Sequence, residues 1–220
     1  MRSMQSKQAP GPLARAGFTL IELMAVILII GILAAMLVVN LAGAQESTEI
    51  QNTRQRLVTL EAVIEDYNNS RQGDYPASSF DDASGESNDG TNVGVESLVV
   101  ALFSDGWEAG GAMPNLGDEL INADGDRSGR KLTDFDTRSL LEIPDSWGNP
   151  IAYLHRRDYE LKPRPYVTFD PESGEEIISL PKPFKNATTG RFFQARRFQL
   201  ISAGPDGTFD TEDDITSFTR

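Results

Sequence analysis

From Leu23 to Val39 the chain runs seventeen residues without a polar side chain, LMAVILIIGILAAMLVV. Counting back to Phe18 gives 22 residues, interrupted only by Thr19 and Glu22. As a helix this spans about 33 Å at ~1.5 Å per residue, the thickness of a bilayer core. No proline occurs between Pro12 and Pro76, so one helix can continue well past the apolar part. Arg2, Lys7 and Arg15 precede the run with no acid among them, and the first charges after it are Glu46 and Glu49. The positive-inside rule therefore leaves the N-terminus in the cytoplasm and sends everything after Val39 across the membrane.

Composition removes several classes of function. Acids outnumber bases 33 to 20, for a net charge of −13, which argues against electrostatic capture of nucleic acid or anionic headgroups. Without cysteine there are no disulfides, thiolate zinc sites or cysteine nucleophiles. His155 is the one histidine, so multi-histidine metal sites are excluded and any Ser-His-Asp triad depends on it alone. No P-loop, dinucleotide fingerprint, nucleophile elbow or metalloprotease motif is present, and an enzyme is not expected.

Three readings compete for the apolar segment. Ala42-Gly43-Ala44 offers a small-residue cleavage pattern for a secretory signal peptide, but the stretch exceeds the usual ~7–15 residues and carries a carboxylate at its start. A plain single-pass anchor leaves Glu22 unexplained, because an ionisable group inside a membrane segment costs about 2.5–3.5 kcal/mol at mid-bilayer and ordinarily has a partner. The third reading uses Glu22. It stands five residues after Gly17 in Ala-Gly-Phe-Thr-Leu-Ile-Glu, and here the chain resembles the type IV pilin and type II secretion pseudopilin superfamily. That resemblance implies a prepilin peptidase that cuts after Gly17 and N-methylates Phe18. In a filament with a helical core, Glu22 of one subunit can then neutralise the Phe18 ammonium of a neighbour, which sets axial register more than it adds stability. Many family members carry proline where this chain has Val39, so the kink associated with that proline is not assured here.

Beyond Asn40, Ile50, Leu57, Leu60, Ile64 and Tyr67 recur at helical spacing, with Thr53 in the missing position. This predicts an amphipathic stem packing on its own domain and ending near Asn68-Asn69-Ser70 or Gly73. Tyr75-Pro76 enforces an extended turn and also resembles the pseudopilins. Residues 81–94 read as a flexible loop, and Val95 to Phe103 as a short buried helix whose packing Trp107 caps. From Asp74 to Asp136 there are 14 acids against 3 bases, read as a solvated acidic surface. Within it Asn122, Asp124, Asp126 and Ser128 alternate like the first ligands of an EF-hand loop. The match fails at Arg127, where the turn glycine belongs, and at Thr133, where the bidentate Glu belongs, so whether they bind a second ion stays open.

Asp145 to Tyr153, Asp-Ser-Trp-Gly-Asn-Pro-Ile-Ala-Tyr, resembles a segment of the major (G-type) pseudopilin of type II secretion. It reads as a tight turn with a stacked Trp147, leading into a strand that begins at Ile151–Leu154. Further strands are predicted at Tyr166–Phe169, Glu176–Leu180 and Phe192–Ser202, and short connections favour antiparallel pairing. The fold class is therefore α+β: a long N-terminal helix packed on a small antiparallel β-sheet domain.

Five acids fall within nine residues from Asp206 to Asp214 and repel one another without a cation, while Gly204 and Gly207 let the backbone fold round an ion. The segment resembles the calcium loop that ends the major pseudopilins. The resemblance implies calcium held by the side chains of Asp206, Asp213 and Asp214 and by the carbonyls of Ala203 and Thr208.

The expected organisation is a basic leader at 1–17, cleaved; a transmembrane and filament-core helix at 18–41; an amphipathic stem at 42–70; and a periplasmic globular domain at 71–220. That domain carries an acidic insert at about 80–141 and a calcium loop at 203–215. The resemblance, which covers about 15–76 and 142–216, implies a self-assembling periplasmic pseudopilus anchored in the bacterial inner membrane. Its implied partners are minor pseudopilins, the prepilin peptidase and methylase, an inner-membrane assembly platform and an ATPase. A type IV pilin of adhesion, motility or DNA uptake is the alternative. Residues 155–197 hold nine bases against six acids, yet their arginines are expected to pair with the acids of 74–136 rather than with nucleic acid.

Overall fold

The computed structural model describes residues 18–71, 73–80, 90–104, 113 and 115–219, without the side chains of 37–42. Residues 1–17, expected to be the leader and including Gly17, and Trp107 lie outside these described residues, as does the Val39 side chain. The chain divides into two compact units, 1–44 and 45–220.

Helix α1 runs Leu20–Ser70, as the unbroken proline-free sequence predicts. It closes where the backbone turns left-handed: Gly73, at φ 89°, donates its N–H to the Asn68 carbonyl at 2.8 Å. In the first unit the described side chains of 18–36 are all exposed, Phe18 at 85% and Leu33 at 61% among them. Among the described residues no helix is long and apolar enough to cross a membrane. Within the apolar run of Leu23–Val39, side chains are described as far as Met36.

In the second unit the predicted stripe is the face of α1 that meets the core. Thr53, Leu57, Leu60 and Ile64 are fully buried, Val63 joins them, and Ile50 and Tyr67 pack at the margin. Each fully buried Leu or Ile contributes about 1.5–3 kcal/mol, so this stripe is what fixes the stem to its domain. Thr53 is the polar exception, and its hydroxyl accepts the Ser146 N–H at 3.2 Å.

Helix α2 spans Val93–Leu102 and buries Val95, Leu98, Val99 and Leu102 in the same core. Its first turn lies directly on the next strand: a Cβ at Gly94 would sit 2.3 Å from the Tyr153 carbonyl oxygen. The loop predicted for 81–94 therefore gives way to structure by Asn92, which is itself fully buried. Its side chain accepts the Val167 N–H at 3.0 Å, a tertiary bond that composition does not reveal.

The strands are β1 (Ala152–His155), β2 (Tyr166–Phe169), β3 (Glu176–Ser179), β4 (Phe198–Ser202) and β5 (Ile215–Thr216). They form two antiparallel sheets rather than one, β1-β4-β5 and the hairpin β2-β3. The register of the first sets Ala152 opposite Ile201 and His155 opposite Phe198. The predicted strand from Phe192 begins only at Phe198, because Gln194 adopts φ 49° and its carbonyl accepts the Arg197 N–H at 2.9 Å, closing a turn.

The arginines pair differently from expectation. Arg157 does meet Asp74, at 3.3 Å, but Arg197 joins Glu61 (2.8 Å) and Glu65 of α1, outside the acidic region. Arg56 of α1 reaches Glu119 of the insert at 2.5 Å. His155 packs inside, 2% exposed, with its Nδ1 accepting the Arg157 N–H.

Candidate functional site

Three groups of residues carry chemistry. The first is the start of α1. Thr19 is the N-cap: its hydroxyl oxygen accepts the Glu22 N–H at 3.3 Å, while Glu22 Oε2 accepts the Thr19 N–H and hydroxyl, both at 2.8 Å. This is a reciprocal capping box, which satisfies two otherwise orphaned N–H groups at the helix N-terminus. The Thr-x-x-Glu spacing was its sequence signal. Among the described residues these bonds all use Oε2, so Oε1 can accept a further donor. Phe18 lies exposed beside it.

The second group is the acidic loop after β4. Gly204 at φ 72° lets it close, and a Cβ there would lie 2.6 Å from the Asp213 carbonyl oxygen and 3.2 Å from its carboxylate. Asp206 and Asp213 are brought together: Asp213 Oδ2 accepts the Asp206 N–H at 3.3 Å and Asp213 Oδ1 accepts the Thr211 hydroxyl at 2.6 Å. Partial burial pushes the Asp206 carboxyl up, with the Asp213 charge adding and the Thr208 N–H pulling back. Asp214 is buried, and its Oδ2 accepts the Asp210 N–H at 3.0 Å. The Thr208 carbonyl accepts the Thr211 hydroxyl at 3.1 Å, and Ala203 is fully buried at the loop's start.

The third group was not anticipated as a unit. Glu96 of α2, Asp124 and Glu142 each present a carboxylate oxygen, all within 4.8 Å of one another. Glu96 and Glu142 are fully buried. Glu142 accepts from the Asn92 amide and the Ala123 N–H, each at 3.0 Å. Burial pushes its carboxyl up to about 8, with Asp124 and Asp126 raising it further against those two donors. Like charges so close and dry do not all stay ionised, which favours a proton on Glu142. Of the EF-hand-like residues, Asp124 thus turns towards Glu96 and Glu142, while Asn122 donates to the Asp126 carbonyl at 3.0 Å. A lone Glu inside the apolar run Val95–Phe103 was the available signal.

The Trp-Gly-Asn-Pro turn is bonded to β2 and to the end of β4. Asp145 Oδ1 accepts the N–H groups of Trp147 (2.9 Å) and Asn149 (3.0 Å). The Asn149 side chain in turn pairs with Phe169 of β2 like a strand, donating to its carbonyl at 3.0 Å and accepting its N–H at 2.7 Å.

The sequence is similar to known proteins. Residues 13–38 match the family described as the prokaryotic N-terminal methylation motif. The chain is 29% identical to the type II secretion system core protein G of Escherichia coli (strain K12), over 92% of this chain and 90% of that one. It is 44% identical to core protein G of Klebsiella pneumoniae over 39% of this chain and 51% of that protein. With core protein G of Pectobacterium carotovorum it shares 43% identity over 23% of this chain and 33% of that one. No solved structure matches the chain.

Proposed function

We propose, from the premise that the chain belongs to the pseudopilin family of type II secretion core protein G, that it is a structural subunit of a pseudopilus serving protein export. The observation that carries this reading is the methylation-motif match over residues 13–38, which joins a basic leader, Phe18 and Glu22 to an apolar helix. The described side chains of that helix from 18 to 36 are exposed and call for a partner, whether lipid or a neighbouring copy. The alignment over 92% of the chain to a core protein G extends the support into the globular unit and favours secretion over a type IV pilin.

In this reading a prepilin peptidase cuts after Gly17 and the new amine of Phe18 is methylated. The subunit waits in the inner membrane with its N-terminus towards the cytoplasm and its globular unit in the periplasm. An assembly platform and ATPase then draw it into a filament through residues 18–67, together with minor pseudopilins. Glu22 neutralises the Phe18 ammonium of an adjoining copy, and that pair selects the axial register. The role is structural rather than catalytic.

Calcium fits the acidic loop on two grounds: the donors are all hard oxygens, and the cradle beside Asp213 is one that a Cβ at Gly204 would fill. The carboxylates of Asp206, Asp213 and Asp214 and the carbonyls of Ala203 and Thr208 would hold it. A bound ion would supply positive charge where Asp206 and Asp213 face each other; the loop itself rests on β2 through the Thr168 hydroxyl, which donates to the Gly207 carbonyl, while β5 pairs with β4.

The test is secretion itself. A host lacking this chain should stop exporting its type II substrates, and the wild-type chain, but not a Glu22→Ala variant, should restore export. Normal export without the chain would contradict the reading.

A further inference from the structure

The Asp145 turn is built with one acceptor more than a turn needs. Its Oδ1 accepts the two turn N–H groups, and an asparagine would serve that purpose equally. Its Oδ2 accepts the hydroxyl of Ser202, the last residue of β4, at 2.7 Å. Ser202 has a single hydroxyl proton, and spending it on Asp145 turns a lone pair towards the acidic loop. There Ser202 Oγ accepts the Gly204 N–H at 3.1 Å. Asp145 is 5% exposed and Ser202 fully buried, so water does not substitute for either partner. Gly204 is the residue whose left-handed backbone rests against Asp213, and Ala203, just before it, is the carbonyl at the loop's start.

We propose that Asp145 is the positioning residue of the acidic loop: acting through the Ser202 hydroxyl, it fixes the Ala203–Gly204 peptide and so sets how tightly the loop closes on a cation. The calcium part rests on the reading above, whereas the positioning part concerns this chain alone. What the relay needs is an Oδ2 that only accepts. With asparagine at 145, the amide would donate to Ser202 Oγ and leave the Ser202 proton without its buried acceptor, while the two turn bonds survive on the remaining oxygen. This makes Asp145→Asn a substitution that keeps the turn and reverses the relay. Ser202→Ala removes the relay from its other end.

Two readouts on the full chain in detergent micelles decide the matter. The first is amide hydrogen exchange of Gly204 and its neighbours in a chelator. The second is calcium titration by calorimetry. Asp145→Asn and Ser202→Ala should each speed Gly204 exchange and weaken calcium binding, both by about tenfold, the worth of one hydrogen bond to a charged group. The double variant should be no worse than either single one, because the two residues form one chain of bonds. Unchanged exchange and unchanged affinity in Ser202→Ala would overturn the proposal and leave Asp145 as a turn residue only. If the wild type takes up no calcium, the cation reading fails by itself, and the exchange rates still decide whether Asp145 positions the loop. A variant that does not fold is recognised by protection from exchange lost throughout β1 and β4; Ser202→Thr, which keeps the hydroxyl, then supplies the comparison and should retain slow Gly204 exchange.

Discussion

Glu22 and Thr19 cap one another at the head of α1, with Glu22 Oε2 taking both the N–H and the hydroxyl of Thr19 at 2.8 Å. The carboxylate is therefore occupied within its own chain before any neighbour arrives, and the capping bond and the intermolecular charge are separable. Glu22→Gln keeps an acceptor for Thr19 but removes the charge, whereas Glu22→Ala removes both. We predict that both variants accumulate in the membrane fraction and that neither is recovered in sheared filaments. Filaments from Glu22→Gln at wild-type yield would show that the charge plays no part in assembly.

Arg197 ties the start of β4 to the stem helix through Glu61 at 2.8 Å and through Glu65, which also accepts the Tyr75 hydroxyl at 3.0 Å. The site is partly open to solvent, so the loss on Arg197→Ala should be modest, about 1–2 kcal/mol. Chemical denaturation of the full chain in detergent measures it. A loss below experimental error would mean that the pair is screened and that the apolar stripe alone holds the stem.

Glu142 gives the fold a pH dependence of known sign. Its carboxyl ordinarily titrates near 4.5 and is pushed up to about 8 in the fold, so the folded state binds more protons between those values. Stability attributable to this group is full at low pH, falls as pH rises from 4.5 towards 8, and is level beyond. With a chelator present, melting temperature should decline across that window, and Glu142→Gln should flatten the decline. An unchanged slope in that variant would place the titration elsewhere.

His155 acts in the opposite direction. Burial, helped by Arg157, holds its imidazole below the ordinary 6.5. The neutral ring's Nδ1 accepts the Arg157 N–H, an arrangement that protonation breaks. Its contribution is present above 6.5 and is lost as pH falls through the depressed value. His155→Gln should therefore remove an acid-side loss of stability, as measured by denaturation between pH 4 and 7, on the order of the usual histidine range. A wild-type profile in the variant would contradict this.

Calcium should raise the melting temperature of the wild-type chain, and Asp213→Ala should abolish the rise. Gly204→Ala should do the same by another route, since a Cβ there meets the Asp213 carbonyl at 2.6 Å on a backbone of φ 72°. A calcium response that survives both substitutions would move the ion elsewhere.

The elements set by local pattern were legible in the sequence. The helix through Ser70 followed from an apolar run, absent proline and a 3.6-residue stripe, and Tyr166–Phe169 was read with its bounds intact. What local pattern does not encode is who meets whom. Glu96 and Glu142 lie 46 positions apart in the chain and share a buried site; Glu96 stands out as the lone charge in an apolar run, but nothing local pairs it with Glu142. Asn92 and Asn149 resemble loop residues but serve as surrogate strand partners for β2. The division into two sheets likewise depends on tertiary placement, because β1 pairs with β4, more than forty positions on, rather than with the nearer β2. The acids of the C-terminal loop stand out by their density and spacing, but the bonds from Asp145 to Ser202 and from Ser202 to Gly204 join segments 57 positions apart, which local pattern does not encode.

The account rests on an amine created at Phe18 for Glu22 to meet. Intact-mass spectrometry of the chain purified from membranes of its own host tests this most directly. The account predicts a protein beginning at Phe18 and carrying one added methyl group at that N-terminus. A chain that retains Met1, or one that begins at Gln45, would contradict it.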